Sequence, residues 1–155
     1  MKQLAIRIEA ELGDILIAVD RAVQGWQKFT RSGDELYIDS IALNLQSVYT
    51  GLESLFEEIA KHIDGSRLDG EGWHKQLLQQ VAPENAPIRP AVISSRSLQY
   101  LDEWRRFRHL VRHNYATKLD AAKVEILVDN LNDQFRQISA ELIAFAKFLH
   151  QQSEG

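Results

Sequence analysis

The sequence predicts an all-α protein, an up-and-down bundle of four longer helices plus one short helix. Apolar residues recur at three- and four-residue spacing over long stretches, no run alternates polar and apolar residues as a half-buried strand would, and the Gly and Pro breakers gather in two places.

The first helix carries the stripe Leu4, Ile8, Leu12, Ile15, Val19, Val23, Trp26 and Phe29, the apolar face of an amphipathic helix. Ser32-Gly33-Asp34 breaks it, with Asp34 placed to cap the second helix. The second stripe is Ile38, Ile41, Leu45, Val48, Leu52, Leu55, Ile59 and Ile63, closed by Gly65, Gly70 and Gly72. A short helix is expected from near Trp73 to about Val81. The three prolines, at 83, 87 and 90, then require a rigid loop, because proline lacks the backbone donor that a helix interior uses. Ser94 or Ser95 can cap a fourth helix reaching roughly Tyr115. Asp120 can cap the fifth, whose stripe runs Val124, Leu127, Leu131, Phe135, Ile138, Leu142, Phe145 and Leu149.

A chain of 155 residues with 45% hydrophobic and 26% charged residues suits one domain over 1–155, since neither half has enough core alone. There is no cysteine, which excludes disulfides, thiolate metal sites and cysteine nucleophiles and fits a reducing cytosol. The amino-terminal stretch MKQLAIRIEAELGDI carries charges every few residues, unlike a signal peptide. No segment approaches the apolar run of roughly 20 residues that a membrane span needs, so a cytoplasmic location without a membrane partner is expected.

The net charge is −4, yet it is unevenly spread. Residues 86–118 hold seven Lys/Arg (Arg89, Arg96, Arg105, Arg106, Arg108, Arg112 and Lys118) against Asp102 and Glu103, while the remainder holds eleven basic and twenty acidic residues. An acidic body with one basic stretch points to a localised anion site, although a solvated Arg-rich helix face has the same composition.

The basic stretch contains WRRFRHLVRHNYATKLD, with Arg108, His113 and Tyr115 near the expected helix end. Cutting RNA without a metal requires a base for the 2′-hydroxyl proton, an acid for the leaving 5′-oxygen and a cation for the charge on phosphorus. Histidine titrates near neutrality and can be acid or base. Arginine stays charged and presents a planar fork to phosphate oxygens. His113 lies about 140° around the helix from Arg108, so one helix makes a wide site with one motif histidine. A two-fold dimer packing this helix against its mate brings two of each residue into one cleft.

The pattern Arg108-x4-His113-x-Tyr115 resembles the Arg-x4-His-x-Tyr motif of HepT-type toxins in the HEPN superfamily of ribonucleases, with His109 at the polar position after the arginine. The stretches SIALNLQSVYTGLESLFEEIA and GEGWHKQLLQQV also resemble this family, as does the helix order, so the similarity covers nearly the whole chain. The resemblance implies a metal-independent endoribonuclease toxin without cofactor, with Arg108 and His113 catalytic at a homodimer interface. It implies tRNA as the RNA substrate. It also implies an MntA-like nucleotidyltransferase antitoxin that silences the toxin by adding AMP (AMPylation) to Tyr115. Such an adduct puts phosphodiester charge among the arginines and occupies the path of the RNA.

Other readings compete for the same residues. His113 also suits a last-turn histidine favoured by the helix dipole. Tyr115 also suits an amphipathic residue closing the helix. His109, Arg105 and Arg112 are candidates for supporting or RNA-binding roles, but Arg105, Arg106 and Arg112 equally suit rim ion pairs with Asp102, Glu103 or a partner chain. His109 and His113 have helical metal spacing, yet the residues between them offer no third ligand, so no metal is expected. His74 is expected to pack or cap at a helix start, His62 and His150 to lie at the surface, and Trp26, Trp73 and Trp104 to anchor core or interface. The alternative function is a non-catalytic HEPN module that binds nucleotide or RNA beside a nucleotidyltransferase.

Overall fold

The structure, a computed structural model, describes residues 1–113 and 119–155. Five helices run in chain order: α1 (Lys2–Ser32), α2 (Leu36–His62), α3 (Trp73–Val81), α4 (Ser95–His113) and α5 (Ala121–Glu154). Among the described residues there is no strand, only an isolated bridge between Asn85 and Arg89. No described helix is long and apolar enough to cross a membrane.

The caps arise from local chemistry. Gly33 ends α1 in the left-handed region at φ 69°, where a side chain would be strained, and its N–H donates to the Phe29 carbonyl. Asp34 caps α2 from one residue further out than a standard N-cap: its Oδ1 accepts the Leu36 N–H at 3.0 Å, whereas Glu35, at the cap position, makes no side-chain cap bond. Asp120 is the N-cap of α5 and accepts the Ala122 N–H.

α1 packs against α2 and α5, α2 also meets α3 and α4, and α4 rests against α3 and α5. All five helices feed one apolar cluster. α1 and α2 approach closely at two glycines. A Cβ on Gly51 would lie 2.8 Å from Ile15 Cγ1, and one on Gly25 2.9 Å from Ile41 Cγ1.

The proline-containing loop is held by a buried ion pair. Arg89 donates to Asp64 through Nε at 2.6 Å and Nη2 at 2.9 Å, and to the carbonyls of Gln80, Pro83 and Pro90. Burial pushes the Asp64 carboxyl up, but hydrogen bonds from Arg89 and Gln80 outweigh it and hold the group below its usual range. Arg89 is 3% exposed, which corrects its counting with the surface cations of the basic stretch: its charge is spent inside the fold.

Candidate functional site

The site grows from the anchoring of α4. Ser94 caps its first turn, the hydroxyl accepting the Ser97 N–H. The Glu141 carboxylate of α5 accepts from the Ser94 N–H at 2.6 Å and from the Ser94 and Ser97 hydroxyls at 3.0 Å. A carboxylate there complements the positive end of the helix dipole and fixes α4 against α5. Ser97, Leu101, Trp104 and Phe107 then form the buried stripe, and the Trp104 indole N–H donates to Gln134 at 3.2 Å.

Arg108, seven residues after Leu101 and four after Trp104, continues that stripe toward α2, while His109, Arg112 and His113 turn to the exposed side of the last two turns. Arg108 is half-buried and its Nε donates to Thr50 Oγ1 on α2 at 3.3 Å. His109 and His113, one turn apart and both exposed, stack with ring centroids 4.1 Å apart at 50°. Arg112 is exposed in the same last turn. The negative end of a helix dipole favours cations at this place.

Arg105 and Arg106 both turn back to Asp102, at 2.8 and 2.6 Å. Burial raises the Asp102 carboxyl, and hydrogen bonds from Arg106 and Arg105 more than reverse this, so it stays ionised. The structure thus brings the two histidines together and ties Arg108 to α2. Tyr115 lies outside the described residues.

A further group of residues stands behind these arginines. Glu53, on the core side of α2, is 4% exposed, and one carboxylate oxygen meets the Tyr49 hydroxyl at 2.6 Å and His74 Nδ1 at 2.7 Å. Burial first, and the bond to Glu53 second, push the Tyr49 hydroxyl well above its usual value. Arg105 and Arg108 pull it the other way, which puts both guanidiniums within electrostatic reach of the buried pair. The expectation that His74 packs holds for its ring, which lies 3.7 Å from Trp73, but Nδ1 bonds a buried carboxylate instead of capping α3. Glu53 falls among Leu52, Leu55 and Phe56, and a carboxylate in that company was the available signal.

The remaining histidines pair with surface carboxylates, His62 with Glu58 and His150 with Glu9. Among the described residues no three His, Asp or Glu side chains are grouped to hold a metal ion.

Comparison with known proteins matches residues 40–149 to the family model described as HepT-like protein. No curated protein and no solved structure matches the chain. The matched span runs from the start of α2 almost to the end of α5 and takes in Arg108, His109 and His113. With most of its length, including the whole cationic end of α4, inside that match, the chain belongs to the HepT-like family.

Proposed function

We propose that the protein is a metal-independent ribonuclease toxin that cleaves cellular RNA, with tRNA as the substrate class. The observation that carries this reading is the end of α4, where a half-buried arginine bound to α2 and two stacked imidazoles fall within two helical turns. Arg108 neutralises the phosphate oxygens as negative charge builds on phosphorus, a role suited to a fixed, planar guanidinium. His113 transfers a proton, and His109, against its ring, supports its orientation. Arg112 and Arg105 contact the RNA backbone.

The site is composite, formed where two protomers meet on the α2/α4 face. Leu36 and Leu43, 73% and 65% exposed, stand fourteen and seven residues before Thr50, the residue that binds Arg108. That heptad spacing aligns an exposed apolar stripe on α2 with the arginine of α4, as a symmetric contact requires. Control comes from a nucleotidyltransferase antitoxin that transfers AMP to Tyr115.

A non-catalytic nucleotide-binding module is the second reading, favoured by the pairing of Arg105 and Arg106 with Asp102, which leaves less charge for a long RNA backbone.

The purified protein is expected to cleave mixed tRNA in excess EDTA and to spare DNA, which lacks the 2′-hydroxyl. Arg108→Ala and His113→Ala should each lower the rate by about 100-fold or more, with the thermal transition unchanged. Cleavage that stops with chelator and returns with magnesium, or a His113→Ala variant as fast as wild type, would refute the reading.

A further inference from the structure

RNA cleavage by the 2′-hydroxyl requires two proton transfers, and the Arg-x4-His segment contains one motif histidine per protomer. The described residues contain a second imidazole held in a defined orientation. Glu53 Oε2 accepts the Tyr49 hydroxyl and lies 2.7 Å from His74 Nδ1. A carboxylate oxygen that already accepts the Tyr49 hydroxyl favours Nδ1–H as the donor to it, the tautomer that leaves the lone pair of the ring on Nε2. The ring face lies against Trp73, with 3.7 Å between centroids, which restricts its rotation. The His74 side chain is 32% exposed while that of Glu53 is 5%, so the carboxylate is the buried orienting group and the imidazole the accessible one.

The surroundings connect this dyad to the cationic helix. Tyr49 precedes Thr50, the residue that binds Arg108, and its hydroxyl feels both Arg105 and Arg108. Glu53 binds His74 directly, Glu57 of α2 interacts with it, and Arg105 and Arg108 of α4 act on the Tyr49 hydroxyl that shares the Glu53 oxygen. A carboxylate that fixes the tautomer and orientation of a partly exposed imidazole is the arrangement general-base catalysis uses.

We propose that His74, oriented by Glu53, is the general base of the RNA cleavage, within the same protomer as Arg108; this rests on the ribonuclease reading above. His74 Nε2 takes the proton of the 2′-hydroxyl as the O2′–P bond forms. The P–O5′ bond breaks, and O5′ receives a proton from the His113 imidazolium. The products are a 2′,3′-cyclic phosphate and a 5′-hydroxyl end, and the two histidines regain their starting states by exchange with water. Glu53 acts through His74 and is a positioning residue.

The full-length protein tests this on mixed tRNA and a random-sequence oligoribonucleotide. His74→Ala should lower kcat by about 100-fold or more with KM little changed, and added imidazole should restore part of the rate in proportion to its concentration. Glu53→Gln should lower kcat less. Long-range 15N–1H spectra of the wild type, recorded where His74 is neutral, should show the Nδ1–H form, shifting toward Nε2–H in Glu53→Gln. A wild type that leaves RNA intact would overturn the ribonuclease reading and this assignment with it. An active wild type with His74→Ala cutting at a similar rate would overturn the assignment alone, leaving the proton transfers to the two copies of His113. A His74→Ala variant that is inactive, deaf to imidazole and lower in melting temperature would reduce His74 to a packing residue, as would a predominant Nε2–H tautomer in the wild type.

Discussion

Replacing Arg89 by methionine tests the ion pair that fixes the loop between α3 and α4, and through it the start of the cationic helix. The two side chains are 0% and 3% exposed. Removing the guanidinium leaves the Asp64 carboxylate with only Gln80 and Asn85 as donors, neither of them charged. The carbonyls of Pro83 and Pro90, each 3.0 Å from Arg89 Nη1, lose that donor as well. Breaking one side of a buried pair in this way costs about 3–5 kcal/mol. In a chain of this size each kcal/mol lowers the melting temperature by about 2–4 °C, so a fall on the order of 10 °C is expected. Urea unfolding followed by far-ultraviolet circular dichroism measures the free energy, and calorimetry the temperature.

The pH dependence has a definite sign. Asp64 is held below its usual value, so its contribution is complete above the unfolded value of about 3.9 and disappears as pH falls through the lower folded value. Wild type and Arg89→Met should therefore differ most near neutrality and converge in acid below about pH 4. A loss under about 1 kcal/mol at pH 7, or a gap that widens in acid, would refute the assignment of Arg89 as the loop's internal support.

Two further outcomes concern the site. RNA affinity should fall with salt by a log–log slope of about −0.7 per phosphate contacted; since Asp102 occupies Arg105 and Arg106, Asp102→Asn should tighten binding and steepen the slope, and a flat dependence in both proteins would favour the nucleotide-binding module. Incubation with a cognate nucleotidyltransferase and ATP should add adenylate mass at Tyr115 while cleavage falls in step, with Tyr115→Phe escaping silencing; adenylate on Tyr100 instead, or full silencing of Tyr115→Phe, would defeat that route.

Much of the fold was legible in the sequence because helices are local objects. The stripe in each helix, the break at Gly33 and the cap at Asp120 depend on residues a few positions apart, and the structure has all five helices where these signals put them. The arginine and histidines at the end of α4 were legible for the same reason: a motif within one helix survives any packing of that helix. Charge counting failed at Arg89, since composition does not distinguish a cation facing water from one facing Asp64, 25 positions earlier. Nor could spacing choose between RNA contact and an ion pair for Arg105 and Arg106, which both turn to Asp102. The Glu53–His74 contact spans 21 positions and exists only because α3 folds back onto α2. Intrahelical spacing alone determined which residues share a face. Tertiary packing decided which of those faces meet water and which charges find partners, because burial and long-range pairing depend on how the helices are brought together.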